Sequence, residues 1–475
     1  MQAGRSHYID GAWHAASSTT PTISVINPAT EALLAEATAG SAADAARAAS
    51  AARKAFGRWS QTPLPERIAL LERVRAGIEA RADELASLIT AEMGCPIGFS
   101  KAAQIGLAMG DIRATLAVAE ALNDRDLGRS IVQNDPIGVV VAITPWNFPL
   151  HQILAKIAPA LAAGCTVVLK PSEVTPLDAT ILAEIFHAAG TPPGVFNMVL
   201  GGRETGAALV AQPDVDMVSF TGSTRGGRAV AEIAGRELKK TALELGGKSA
   251  NIILDDAELE KIIPAALGQA FINSGQVCAA LSRLIVPQSR RAQAEAIAVE
   301  AAKAWTLGDP IDPANRLGPL ANRTQQQKVR EAIDGAVKEG AALLCGGSGQ
   351  PAGLSKGAYV APTILSNVTR AMTIFREETF GPVLSIIGYA DEADAIQIAN
   401  DSQYGLSGGV WSESLERAEG VARQMRTGQV ILNGPSLDLA APFGGVKQSG
   451  LGRENGRYGL EEYCSPKAIT RPQPR

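Results

Sequence analysis

The chain has 475 residues and a formal net charge of −4, with 46% hydrophobic and 19% charged side chains. At roughly 150 residues per domain this predicts two or three domains, or one large intertwined α/β unit. The composition excludes a disordered, collagen-like or coiled-coil chain, and with no basic tract longer than Lys239-Lys240 or Arg290-Arg291 it gives nucleic acid no electrostatic footprint.

Residues 1–13 mix Arg5, His7 and Asp10 and lack the apolar stretch of a secretory signal. Ser41 and Asp44 form a capping-box-like start to an Ala-rich helix that reaches about residue 56. A second helix is predicted from Pro65, with Ile68, Leu71, Val74 and Ile78 on one face. Helical pattern continues to residue 90 and resumes after Gly98. The longest uncharged run, 137–155, has the length of a membrane span. It carries Pro145, Asn147, Pro149, His151 and Gln152, which would expose polar groups to lipid. Its first seven residues read instead as a strand buried on both faces.

From there strand and helix alternate: a helix over 153–163 ended by Gly164, a strand at 166–169, a helix over 179–189 closed by Gly190, and a strand at 196–200. A short helix follows, then a strand at 217–220 and a helix over 226–237. Such β-α-β units predict a parallel sheet covered by helices, the usual dinucleotide-binding architecture. A second α/β region begins near Leu243, with strands at 250–254, 284–286, 342–345, 383–388 and 429–432. Its helices are predicted over 259–273, 292–304, 323–339 and 392–399, with a Gly/Ser-rich surface loop at 346–357.

The five cysteines (Cys95, Cys165, Cys278, Cys345, Cys464) are odd in number, scattered and without a CxxC, which argues for a reducing, cytoplasmic setting and against a zinc site. With only four histidines, His7, His14, His151 and His187, no metal site is expected, and a cysteine nucleophile would work without an imidazole base.

Cys278 follows a helical stretch in Asn273-Ser274-Gly275-Gln276-Val277-Cys278-Ala279, where Gly275 permits close backbone approach. A thiolate there would be a good nucleophile, although an arbitrary cysteine is more often a packed thiol. Glu244, in Leu243-Glu244-Leu245-Gly246-Gly247-Lys248, is a carboxylate among apolar neighbours, which suits it to general base work. Asn147 lies in a rigid two-proline turn directly after a buried strand, where its amide could donate to an oxyanion. Lys170 and Glu173 share a strand end and suit the hydroxyls of a ribose, with Glu173 repelling a 2′-phosphate. Thr221-Gly222-Ser223-Thr224 forms a Gly-rich turn into a helix, suited to a pyrophosphate but not a GxGxxG fingerprint.

Taken together these stretches resemble the aldehyde dehydrogenase superfamily from about Tyr8 to Ile469: TPWNFP at 144–149, LKPSE at 169–173, FTGST at 220–224, LELGGK at 243–248, GQVC at 275–278, EETFGPV at 377–383 and PFGGVK at 442–447. The resemblance implies an α/β fold with a Rossmann-type cofactor domain (1–121 and 138–246), an α/β catalytic domain (247–448) and a small oligomerisation element (122–137 and 457–475). It implies that Cys278 is the nucleophile, that Asn147 and the Cys278 backbone N–H form the oxyanion hole, and that Glu244 activates the hydrolytic water. Ile143, Thr144, Trp146, Lys170, Ser172, Glu173, Gly222, Ser223, Leu245, Gly246, Glu378 and Phe380 correspond to cofactor-binding positions. Glu173 favours NAD, although members with this residue also take NADP. Gln152, Ala155, Val277, Ala279, Leu437 and Phe443 correspond to substrate-pocket positions, and their small or aliphatic character implies a roomy, uncharged pocket for a small-molecule aldehyde. A Glu at 244 implies a hydrolytic rather than coenzyme A-acylating enzyme, and members are homodimers or homotetramers. The alternative is a catalytically silent relative on the same fold.

Overall fold

The computed structural model describes residues 7–15, 21–434 and 437–472; the ends of the expected segments 1–121 and 457–475 thus lie partly outside it. Eight strands form one sheet in the order Gly450–Leu451, Lys240–Glu244, Met217–Thr221, Val139–Ile143, Thr166–Lys170, Phe196–Val199, His7–Ile9, Ala12–His14. The five central strands are mutually parallel, and the additions at the two edges are antiparallel. Val139–Ile143 and Thr166–Lys170 are buried at every position, as their uninterrupted β-branched runs require. In chain order the first three parallel strands step one way from Val139–Ile143 and the next two step the other way. The order therefore reverses between Val139–Ile143 and Met217–Thr221, and a crevice opens at their carboxyl ends.

Helix Ala42–Trp59 starts on a full capping box between Ser41 and Asp44. Helix Pro149–Ala163 begins four residues earlier than expected, because Pro149 occupies the first turn, where a missing N–H costs nothing. All fifteen of its residues are buried, and left-handed Gly164 ends it. After Met93 the helix resumes at Ile97, before Gly98 rather than after it, and passes through a π turn at Ser100–Gln104.

A second sheet runs Ala342–Cys345, Thr363–Ser366, Val383–Tyr389, Arg283–Pro287, Ala250–Ile253, Gly408–Trp411, Ile431–Leu432. Thr363–Ser366 and Gly408–Trp411 were not expected, and the expected strand at 429–432 shortens to Ile431–Leu432. Gly409 explains one omission: a Cβ there would lie 2.5 Å from Asn251 Oδ1, so the close strand approach demands a residue that propensity counts against a strand. A third, antiparallel sheet joins Arg125–Asp126, Ser130–Pro136 and Cys464–Thr470, the last two in register from Cys464–Pro136 to Thr470–Ser130. Among the described residues no helix is long and apolar enough to cross a membrane.

Candidate active site

Asn147 follows the strand Val139–Ile143 at the crevice, buried, and its backbone and side chain both tie it to the Cys278 segment. Its Nδ2 donates to the Gln276 carbonyl at 2.9 Å, and its own carbonyl accepts from Asn273 Nδ2 at 2.9 Å and from Gln104 Nε2 at 3.1 Å. An amide carries two N–H donors, so the second remains for a ligand oxygen. The helix predicted over 259–273 ends earlier, at Phe271. Asn273 and Ser274 turn left-handed, both at φ 55°, and a tight turn delivers Gln276 to Cys278. That strained turn costs roughly 1–3 kcal/mol per left-handed residue and is held by Ser274 Oγ on the Gly318 carbonyl (2.9 Å) and by Gln276 Oε1 on the Ala321 N–H (2.9 Å). Gly247 supports it from below: a Cβ there would lie 2.5 Å from the Cys278 carbonyl.

Cys278 is half-buried. Burial, with the Glu244 and Glu378 carboxylates nearby, pushes its thiol up to about 12. Glu244 ends the neighbouring strand Lys240–Glu244 and is buried, with Oε2 lacking a hydrogen-bond partner among the described residues. Burial first, then the Glu454 charge, hold its carboxyl well above the usual range. The PFGG segment leaves it room. Gly444 sits at φ 146°, and a Cβ there would lie 2.6 Å from Glu244 Oε1. The segment that follows folds back as Gly450–Leu451, pairing with Leu243 and Glu244 at the sheet edge.

Sequence reasoning missed two residues here. Lys156 Nζ donates to Thr221 Oγ1 at 2.5 Å and forms a buried ion pair with Glu454. The one signal was a lysine inside an otherwise apolar stretch of helix; Glu454, beside Arg453 in Gly452-Arg453-Glu454-Asn455, gave none.

The crevice beside this cluster is a cleft of about 370 Å³ lined by Ile143, Thr144, Lys170, Glu173, Gly206 and Ser223, among others. Lys170 ends its strand, as expected, and is buried, with Nζ donating to the Pro171 and Gly201 carbonyls (2.8 and 2.7 Å) and 3.6 Å from Glu173. Ser223 caps the helix Thr224–Arg236 by accepting from the Gly226 N–H at 3.2 Å. Thr144 Oγ1 is buried without a hydrogen-bond partner among the described residues. A cleft of this size, an unsatisfied hydroxyl and a helix N-terminus fit a dinucleotide. Toward Cys278, Glu378 accepts from the Gly247 N–H at 2.9 Å, and burial pushes its carboxyl up to about 7. A Cβ on Gly246 would strike that carboxylate. Phe380, left-handed at φ 53°, packs edge-on against Trp146 at 5.4 Å, and its carbonyl accepts from Gln325 Nε2 at 2.9 Å.

Other expected cofactor residues sit around the cleft. Gly222 donates its N–H to the Glu244 carbonyl (3.0 Å), and Leu245 packs where a Cβ on Gly227 would fall. Ser172 accepts from the Val174 N–H within its own turn. Of the substrate-pocket positions, Gln152, Ala155 and Phe443 are buried, and Val277 and Ala279 flank the nucleophile half-buried. Leu437 adjoins residues 435–436, which lie outside the described residues. Ala155 and Val277 each border a cavity of about 10 Å³. His151 donates to or accepts from buried Asp111 at 2.7 Å, and His187 pairs with the Tyr8 hydroxyl at 3.1 Å.

The aldehyde dehydrogenase family model matches residues 13–469. The chain belongs to the aldehyde dehydrogenase family. It is an oxidoreductase acting on aldehydes. A 3-succinoylsemialdehyde-pyridine dehydrogenase from a Pseudomonas species is 50% identical over 99% of both chains. Among solved structures, a cysteine-to-alanine mutant of aldehyde dehydrogenase C from Pseudomonas syringae, complexed with NAD+ and octanal, superposes with a TM-score of 0.96 at 46% identity, over 98% of this chain and 96% of that one. An NAD+ complex of a Mycobacterium tuberculosis aldehyde dehydrogenase gives 0.96 at 41% identity, over 99% and 98%.

Proposed function

We propose that the enzyme oxidises an aldehyde to its carboxylic acid through covalent attachment to Cys278, with NAD as cofactor and water as the second reactant. The observation that carries this reading is the convergence of Asn147, the Cys278 turn and Glu244 at one end of the sheet crevice, with a dinucleotide-sized cleft on the other side. NAD, when bound, supplies the acceptor for the two electrons and the hydrogen of the aldehyde carbon.

The residues of the chain do the rest. Cys278 Sγ, as the thiolate after its proton has passed to water, bonds to the carbonyl carbon, and burial with the nearby Glu244 and Glu378 charges is what this deprotonation works against. The carbonyl oxygen, now negative, takes hydrogen bonds from the free N–H of Asn147 Nδ2 and from the Cys278 backbone. Loss of the carbon-bound hydrogen leaves a thioester. Glu244, as the carboxylate, removes a proton from the water that attacks the thioester carbon, and Cys278 leaves as the acid forms. The buried Lys156–Glu454 pair sets the potential around Glu244. Lys170, Glu173, Thr144 and Ser223 would hold the adenosine and pyrophosphate parts, and Glu378 would accept from the nicotinamide ribose. The expected pocket positions carry no cation, which supports uncharged aldehydes, such as the octanal held by the P. syringae relative. Five free thiols support a cytoplasmic setting. The antiparallel sheet of residues 125–136 and 464–470 is the surface we assign to subunit pairing in a homodimer or homotetramer.

Cys278→Ala should abolish NADH formation across an aldehyde panel, and Glu244→Gln should give a burst of NADH followed by slow turnover. Full activity in Cys278→Ala would refute the covalent route.

A further inference from the structure

Helix Pro149–Ala163 begins two residues beyond Asn147 and carries His151, Gln152 and Lys156, all buried. Lys156 is engaged by Thr221 and Glu454. His151 and Gln152 have no part in the reaction as described. Both lie one turn before Ala155, so they flank the helix surface that its small side chain leaves uncovered. Two other elements close over that surface. Helix Ile105–Ala117 brings Asp111, which borders the same small cavity as Ala155. One residue earlier, a Cβ on Gly110 would lie 2.6 Å from Leu439 Cδ1, which sets the segment holding Leu437 and Phe443 against this helix. The expected pocket positions 155, 437 and 443 thus gather around His151 and Gln152.

His151 Nδ1 lies 2.7 Å from Asp111 Oδ2, and the Phe148 ring packs edge-on against the imidazole at 6.0 Å, so the ring orientation is fixed. Burial works against a charge on the imidazole, but the Asp111 carboxylate outweighs it and holds the group above its ordinary value. Both ring nitrogens then carry protons. Nδ1 is taken by Asp111, whereas Nε2 bonds no described residue, and the side chain keeps 10% of its surface open. Gln152 is only 4% exposed, and its side chain bonds no described residue, with Oε1 fully enclosed. A buried amide left unpaired is costly unless a ligand completes it. Charge narrows the ligand. Asp111 matches His151 and Glu454 matches Lys156, so the surroundings offer donors without net positive charge. A carboxylate would lose its water for no net counter-charge, whereas a neutral carbonyl oxygen can accept from Nε2 at a far smaller desolvation cost. Resting on the reading of Cys278 as the nucleophile toward aldehydes, we propose that His151 and Gln152 select aldehydes carrying a second, neutral carbonyl group such as a ketone, with Asp111 positioning His151.

The test measures kcat/KM with NAD for 4-oxopentanal and 5-oxohexanal against pentanal and hexanal. It uses the unaltered full-length enzyme, His151→Gln, Gln152→Leu, Asp111→Asn and the double variant Asp111→Leu with His151→Leu, which leaves no unpaired carboxylate behind. The unaltered enzyme should favour at least one oxoaldehyde over its parent by about tenfold, as one charge-assisted hydrogen bond provides, and through KM rather than kcat. The double variant should bring that ratio to about one. Gln152→Leu and Asp111→Asn should each lower it, and His151→Gln, which keeps a shorter donor, should retain part of it. No preference in the unaltered enzyme, or a preference that survives the double variant, overturns the proposal while leaving aldehyde oxidation intact. Should the double variant fail to fold, an unchanged ratio in both His151→Gln and Gln152→Leu overturns it equally. Reduction of NAD with none of the four aldehydes overturns the proposed function along with it.

Discussion

Gly444→Ala is the sharpest perturbation of the site that leaves every proposed catalytic side chain intact. The added methyl carbon would lie 2.6 Å from Glu244 Oε1 and 3.0 Å from both Arg453 Cδ and the Gly452 carbonyl, at φ 146°. Ordinary contact begins near 3.4 Å, so the Glu244 carboxylate must retreat by about 0.8 Å. Backbone strain at such a φ adds roughly 1–3 kcal/mol, so stability falls by a similar amount. A shift near 1 Å in a positioned group costs about 10²-fold in rate. The loss should fall on the step that needs Glu244 against water. Stopped-flow NADH absorbance should show a burst of near-stoichiometric amplitude followed by turnover slowed about 10²-fold, and urea unfolding should report the stability loss separately. A folded Gly444→Ala enzyme with unaltered steady-state turnover would refute the placement of Glu244 as the water-activating base.

Lys156→Met should destabilise the protein by about 3–5 kcal/mol in urea unfolding, because Glu454 would be left as a buried, uncompensated charge; adding Glu454→Met should restore much of that loss. Alkylation of Cys278 by iodoacetamide should accelerate continuously up to pH 10, since its thiol is pushed up to about 12, and Glu378→Gln should speed it several-fold at pH 8 by removing a neighbouring negative charge. Away from the site, burial holds the adjacent carboxyls of Glu92 and Asp178 well above the usual range, Asp178 up to about 7. The folded state therefore binds more protons than the unfolded one between about pH 4 and 7, and stability is lost as pH rises through that window. Asp178→Asn should raise the urea midpoint at pH 8 and change it little near pH 4.

Residues whose role depends on nearby sequence were legible, and those whose role depends on distant chain were not. The strand Val139–Ile143 showed itself as a β-branched run, and the Ser41–Asp44 capping box is a four-residue pattern; both are in the structure. Cys278, Glu244 and Asn147 stood out because each lies in a short motif with a glycine or proline beside it. The fold brings Asn147 onto the Cys278 turn through bonds spanning 126 to 129 residues. Lys156 and Glu454 gave no pairing signal, because a lysine in an apolar helix finds its carboxylate only once the C-terminal segment has folded back. Left-handed Asn273 reads as the end of the helix, since its side chain permits helix, and the turn it forms with Ser274 is held by the distant contacts of Ser274 with Gly318 and of Gln276 with Ala321. The hairpin His7–Ile9 and Ala12–His14 was invisible for a similar reason: its strands are three residues long and acquire a partner only at Phe196–Val199.

The edge strand Gly450–Leu451 also sets a schedule for the protein's own synthesis. Glu244 receives its cover, and Lys156 its counter-charge, from residues 443–454, and the Lys156–Glu454 bond spans 298 positions. At a synthesis rate of about 5–20 residues per second, tens of seconds of translation separate these partners. The parallel strands can assemble on the ribosome during that interval, but the crevice stays open, with an unpaired buried lysine, until almost the whole chain has emerged. Glu244 precedes Cys278 in the chain, but its cover arrives only with residues 443–454, so the assembled site belongs to the nearly complete chain alone.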